Sequence, residues 1–280
     1  MSIDFPPGFV WGTSTAAHQT EGGNWNNDWW ELEHRAGSHC RDVSGDAVDH
    51  FHRYPDDIRL LKELGFGAYR FSLEWSRIEP EEGEFSRAAL DHYRRMLACC
   101  HEHDVLPVLT YHHFTTPRWM IERGTWADAS VVDRFTRFCE KSTAALGDLI
   151  GMGCTINEPN VVSTLGYIMA DFPPAIRDFD AFAKANEHLI AAHRKSYDVI
   201  KGGRGDFPLG LTLSMSDWSA PEGCDDKLAR TRYGHEGQFC EAARGDDYFG
   251  VQAYTIIRLD ERGMPTDPPA GTELLDMGYE

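Results

Sequence analysis

With 280 residues, 41% hydrophobic and 12% aromatic, the chain has enough apolar material to bury a large core, which excludes a disordered segment. A formal net charge of -18 at pH 7 excludes nucleic acid as a partner, because phosphates require a basic stripe, and excludes an anionic membrane surface for the same reason. Met1-Ser2-Ile3-Asp4 carries no basic stretch leading into an apolar one, and no run reaches the roughly 18 apolar residues of a membrane span, so a cytoplasmic protein is expected.

Along the chain, apolar runs alternate with amphipathic stretches. Val10 to His18 predicts a first strand. Tyr54, Ile58, Leu61 and Leu64 then recur at helical spacing and stop at Gly65, a residue suited to ending a helix. Ala68 to Trp75 and Leu106 to Phe114 predict the second and third strands. Val131, Phe135, Phe138, Ala145 and Leu149 form a helical face ahead of a fourth strand, Cys154 to Asn157. Asp171 to Pro174 reads as a loop, and Phe182, Ala185, Leu189, Ala192 and Val199 as one face of a further helix. Leu209 to Met215 and Tyr248 to Tyr254 complete six strands, and Met264 to Gly271 reads as another loop. Strand-helix alternation of this kind indicates an α/β fold with a parallel sheet.

The seven cysteines, Cys40, Cys99, Cys100, Cys139, Cys154, Cys224 and Cys240, are an odd set without a C-x-x-C pair and read as free thiols. His50-x-His52, His101-x-His103 and His112-His113 lack the spacing of structural zinc ligands, so no metal is expected. A metal-dependent barrel hydrolase stays as a third reading, since barrels gather ligands from many strands, and it predicts sensitivity to chelators.

Chemistry concentrates in Thr155-Ile156-Asn157-Glu158-Pro159-Asn160, where a carboxylic acid follows an amide at the end of an apolar run and precedes a proline that stops regular structure. Together with Phe5-Pro6-Pro7-Gly8-Phe9-Val10-Trp11-Gly12-Thr13-Ser14-Thr15-Ala16 and Tyr69-Arg70-Phe71-Ser72, this segment resembles glycoside hydrolase family 1, the β-glucosidase and β-galactosidase family. The resemblance covers nearly the whole chain. It implies a TIM (β/α)8 barrel, of which six of eight βα units fall in a single domain over residues 1–280. It also implies a retaining, β-glucosidase-like glycosidase that acts on β-glycosides or oligosaccharides without a cofactor.

By the same resemblance Glu158 is the acid that protonates the leaving oxygen and later the base that activates water. Asn157 would donate to the hydroxyl beside the anomeric centre, and Arg70 would hold an attacking carboxylate ionised. Gln19, in Ala-Ala-His-Gln-Thr-Glu-Gly, matches a glutamine that pairs with outer sugar hydroxyls, a task suited to a planar amide. His113 aligns with a sugar-binding histidine, and His112 falls where many members carry tyrosine and reads as core. Phe114 stands where tryptophan is commoner and keeps an apolar wall. Tyr254 matches a tyrosine that hydrogen-bonds the nucleophile, although Gln252 and Ala253 replace the family's asparagine and first tyrosine. No role is assigned to Trp25, Trp29, Trp30, Trp75, Trp119, Trp126 or Trp218.

The family's second glutamate lies in a downstream Thr-Glu-Asn-Gly motif that these 280 residues do not contain. Leu275-Asp276-Met277-Gly278-Tyr279-Glu280 resembles an Asp-Met-Gly-Trp-Glu segment found internally in the family. The expectation is therefore a fragment, a truncated product or one half of a protein completed by a second chain or by self-association. Glu74, Glu79, Glu187, Glu222 and Glu236 are the other carboxylates considered. Without the second glutamate, Glu158 is expected to be more acidic and a poorer proton donor. The alternative is a catalytically inactive barrel that binds sugar or assembles with another chain.

Overall fold

The computed structural model describes residues 4–274, so Leu275 to Glu280 and the family-like segment they carry lie outside the described residues. Strands β1 (Gly12–Ser14), β2 (Ala68–Ser72), β3 (Leu106–His112), β4 (Met152–Asn157), β5 (Leu209–Ser219) and β6 (Tyr248–Arg258) form one sheet in sequence order. Every neighbouring pair is parallel. The crossovers carry α1 (Ala17–Thr20), α2 (Asp28–His34), α3 (His50–Glu63), α4 (Trp75–Ile78), α5 (Arg87–Glu102), α6 (Val131–Leu146), α7 (Pro159–Thr164), α8 (Phe179–Lys201), α9 (Asp225–Arg232) and α10 (Gln238–Ala242). Parallel strands that each pair with the next in sequence are what successive βα units produce.

Local chemistry accounts for the helix ends. The Ser86 and Asp178 side chains accept from the backbone N–H groups of Ala89 and of Asp180 and Ala181, capping α5 and α8. Gly65, at a φ of 89°, terminates α3 in the left-handed region where a side chain would be strained. The apolar faces of α5, α6 and α8 meet the outward-facing strand residues in one core that includes Tyr69, Phe71, Leu109, Phe135, Phe138 and Leu189. Trp75 stacks on Phe138 at 5.2 Å within it, and truncating such a ring to alanine costs about 3–5 kcal/mol. Strand β2 sorts its residues by parity. Tyr69 and Phe71 belong to that core, while Arg70 between them reaches acceptors on β3, β4, β5 and β6.

Among the described residues six strands stand where six were expected, but several bounds differ. The first is confined to Gly12–Ser14, and His18 belongs to α1. The second ends at Ser72, because the Glu74 carboxylate accepts from Ser76 N–H and opens α4 at Trp75. The third stops at His112, since Phe114 turns into the left-handed region at a φ of 72°. Strands β5 and β6 run on past Met215 and Tyr254, to Ser219 and Arg258. Pro159 ends β4 but does not end regular structure: it occupies the first turn of α7, where its missing N–H is not needed.

Two irregularities shape the sheet near its C-terminal edge. Cys154 pairs with Gly210 but Asn157 pairs with Thr212, so β4 holds one residue more than β5 over that step. In the next pair Met215 faces Ala253 and Asp217 faces Ile256, which gives β6 an extra residue around Tyr254. Such bulges re-aim side chains.

Candidate active site

Asn157, the last residue of β4, organises a hydrogen-bonded network at the mouth of the sheet. Its Oδ1 accepts from Arg70 Nη2 at 2.7 Å, Gln252 Nε2 at 3.0 Å and Thr212 Oγ1 at 3.1 Å. A guanidinium can only donate, so this contact fixes the amide with its oxygen toward Arg70. The Nδ2 group then donates to His113 Nε2 at 3.3 Å and to Glu158 Oε2 at 3.5 Å. Arg70 also donates through Nε to Thr110 at 2.8 Å and through Nη1 to Gln252 Oε1 at 3.2 Å. One arginine from β2 thus ties together side chains from β3, β4, β5 and β6. Gln252, which stands where the family carries asparagine, is accommodated inside the network, where the longer amide reaches both Arg70 and Asn157.

Glu158 follows directly, held in the left-handed region at a φ of 46° as the residue capping α7. That conformation costs a non-glycine residue of order 1–3 kcal/mol, and strain of this kind concentrates at functional sites. Burial pushes the carboxyl from its ordinary 4.5 up to about 7. The positive charge of Arg70 and hydrogen bonds from Asn157 and Tyr254 pull the other way without overcoming it. Oε1 is buried and has no hydrogen-bond partner. Desolvation by the protein is thus enough to raise this carboxyl above its ordinary value, and a second carboxylate beside it would raise it further.

His113 is neutral, because burial first, and then the charge of Arg70, hold its imidazole well below the ordinary range. Its Nε2 faces the donating amide of Asn157 and must accept, which places the proton on Nδ1. That buried Nδ1–H has no partner. His112, by contrast, is a core residue as expected, its ring edge-on to Trp126 at 5.0 Å and its value lowered to about 3 by burial.

Gln19 is exposed on the single turn α1, which is anchored where Ala17 N–H donates to Ser72 Oγ at 2.8 Å. It lines a cavity of roughly 370 Å3 together with His113, Phe114, His18, Trp29 and Phe172. The five candidates other than Gln19 and Phe114 are joined by hydrogen bonds: Arg70, His113 and Glu158 each meet Asn157, and Tyr254 meets Glu158. His113 belongs to both the network and the cavity.

Several contributors carry no sequence signal of their own. Trp29 meets Phe172 edge-on at 4.7 Å, Phe172 meets Phe114 at 5.1 Å, and together they form an aromatic wall. Asn27 Nδ2 donates to His18 Nδ1 at 3.0 Å, so His18 Nε2–H donates to Glu33 Oε1 at 2.8 Å. Burial opposes the charge on Glu33, but bonds from His18 and from Ser44 N–H and Oγ outweigh it and keep the carboxylate ionised. This relay stiffens the turn that presents Gln19. The doubled tryptophan at 29 and 30 was visible, but not which ring turns inward.

The other carboxylates are occupied or remote. Glu74 accepts from Asn24, Ser76 and Thr115; Glu79 from Trp75, Gly83 and Arg137; Glu236 from Ser216, Trp218 and Arg232. Glu187 and Glu222 are exposed. All seven cysteines are free thiols. Among the described residues no group of three or more His, Cys, Asp or Glu converges to hold a metal ion, and no helix is long and apolar enough to cross a membrane.

Residues 1–248 match the sequence model of glycosyl hydrolase family 1. Among curated relatives, β-glucosidase A of Acetivibrio thermocellus is 34% identical over 80% of this chain and 52% of its own length. Thermostable β-glucosidase B of Thermobispora bispora is 33% identical over 97% of this chain and 64% of its own. The chain therefore spans about half to two thirds of the length of these relatives. Among solved structures, β-glycosidase BGL167 superposes with a TM-score of 0.87 at 40% identity, covering 99% of this chain and 72% of that one. A β-glycosidase from Pyrococcus horikoshii gives 0.88 at 30% identity, covering 100% and 71%. A family match across most of the residues, with relatives and folds agreeing over the same span, leads to one assignment: the chain belongs to glycosyl hydrolase family 1.

Proposed function

We propose that this chain carries the acid/base half of a retaining β-glycosidase, β-glucosidase-like in substrate, within one (β/α)8 domain completed by residues beyond these 280. The observation that supports it most directly is Glu158: a carboxyl raised to about 7, with an unpaired Oε1, beside a network that ends in a sugar-sized cavity. A carboxyl that is substantially protonated at neutral pH can hand its proton to the departing glycosidic oxygen, then as carboxylate take one from water. His113 Nδ1–H and Gln19 offer hydrogen bonds to a polyol, and the wall of Phe114, Phe172 and Trp29 offers an apolar face to its C–H side.

Retention requires a second carboxylate about 5–5.5 Å from the first, to attack the anomeric carbon. None of Glu74, Glu79 or Glu236 is free for this, which favours a nucleophile outside residues 1–280 that would meet Arg70 and Tyr254. The cytoplasm is the proposed location, and no cofactor is invoked. A second reading, a sugar-binding protein without turnover or an assembly partner, draws support from the two edge strands. Among the described residues β1 and β6 each pair on one side only, and Phe249, Val251 and Tyr254 of β6 are exposed.

The test is hydrolysis of an aryl β-glucoside by the pure chain, before and after adding a candidate C-terminal polypeptide bearing Thr-Glu-Asn-Gly. Turnover should need that addition. In the active form, Glu158→Gln should impair poor leaving groups far more than activated aryl glycosides, and azide should rescue the latter by attacking the trapped intermediate. Full turnover by the unaided chain, or loss without azide rescue, would contradict the assignment.

A further inference from the structure

A second cavity, of roughly 510 Å3, opens between the loop after α1, the start of α3, α4 and the first turns of α5, and it shares no lining residue with the sugar cavity. Its walls include Trp25, Phe51, Pro80, Arg77, His92 and Arg95. Trp25 is 60% exposed, an unusual placement for an indole with no packing duty. Phe51 is stacked on His92 at 3.7 Å with rings 14° from parallel, and Arg77 lies over the Phe51 ring at 4.3 Å. Two flat partners this close must use opposite faces, so the phenyl ring is clamped between guanidinium and imidazole.

The polar groups here are arranged for an acceptor of negative charge. His92 is only 6% exposed, yet its Nε2 has no hydrogen-bond partner. Burial first, then the charges of Arg95 and Arg77, hold the His92 ring neutral down to about 4, so it enters the cavity as a neutral ring beside two guanidinium groups. Arg77 donates to Glu21 and to the Gly22 carbonyl. Burial raises that glutamate to about 7, so near neutral pH it offsets the guanidinium only in part. Arg95, one helical turn from His92 on the same side of α5, is exposed and forms no ion pair among the described residues.

The geometry points to a binding site for a small planar aromatic carboxylate, its ring against Trp25 and its carboxylate held by Arg95 and the Nε2–H tautomer of His92. A guanidinium fits a carboxylate with two parallel hydrogen bonds, and an indole face supplies stacking that an inorganic anion cannot use. The proposal is independent of the glycosidase reading.

Calorimetric titration of the 280-residue chain with 4-hydroxybenzoate tests it, with 4-hydroxybenzyl alcohol as the uncharged counterpart and inorganic phosphate as the anion without a ring. The expected Kd for 4-hydroxybenzoate is about 1 mM or tighter, as befits a ligand of this size. Both comparison compounds should bind at least about fivefold more weakly. Arg95→Gln and Trp25→Ala, both exposed positions, should each weaken 4-hydroxybenzoate about fivefold to tenfold with unchanged circular dichroism and urea midpoint. Equal binding of the alcohol or of phosphate, parental affinity in either variant, or no heat at about 10 mM ligand would overturn the assignment.

Discussion

Replacing Glu158 by glutamine isolates the charge of this carboxyl from its shape. Burial takes it from 4.5 to about 7, and at about 1.4 kcal/mol per pH unit that gap amounts to roughly 3 kcal/mol. The native state holds the proton more tightly than the unfolded chain. Stability from this group is therefore complete below pH 4.5, declines as pH rises through the window to about 7, and stays lost above it. Glutamine removes that dependence. Its oxygen can accept from Asn157 while its amide takes the place of the unpaired Oε1, at a pH-independent cost of about 1–3 kcal/mol for a buried donor without a partner. Urea denaturation at pH 4.5 and pH 8 should show the variant gaining on the parent by about 2–3 kcal/mol between the two conditions. Glu21 and Asp28, also raised to about 7 by burial, titrate in the same window but cancel between variant and parent. A difference that stays constant to within about 0.5 kcal/mol, the additivity of independent sites, would refute desolvation as the origin of the shift.

Arg70→Met should cost about 2–4 kcal/mol in urea denaturation, since Thr110, Asn157, Thr212 and Gln252 all lose their shared donor. The same variant should move the Glu158 titration, followed by carboxyl carbon NMR, above about 7, because the arginine charge lowers it in the parent. Tyr254→Phe should shift that titration upward too, by less than Arg70→Met. Gln19→Ala and His113→Ala should each weaken a glucose-configured iminosugar by about 0.5–1.5 kcal/mol in calorimetry, and binding at parental strength in both would remove these residues from the sugar cavity.

The strand order and the Asn-Glu-Pro placement were legible because they are local: apolar runs, helical spacing and a carboxylic acid at the end of one run. Strand ends were not. Phe71 to Trp75 are all buried, so the apolar run from β2 into α4 gives no sign of a turn, and only the capping relation of Glu74 with Ser76 marks it. The resemblance singled out Arg70 but could not say that Thr110, Thr212 and Gln252 converge on it, since that depends on register across four strands. Trp29, Glu33 and Phe172 were missed for a related reason. They come from α2 and loops, where neither periodicity nor spacing records which way a side chain turns.

The extra residue in β4 bears on how such a mouth can be remodelled. A regular strand sends successive side chains to opposite faces, yet Asn157 and Glu158 hydrogen-bond each other and address the same space. The bulge before Asn157 and the left-handed turn at Glu158 together suspend the alternation for one step. Two adjacent codons thereby contribute to one chemical event, and their cooperation is written into backbone parity rather than side-chain identity. Single-residue deletion between Cys154 and Asn157 should consequently scramble the mouth more thoroughly than any substitution within it. Libraries that vary length at this step would explore arrangements that mutagenesis at fixed length never reaches.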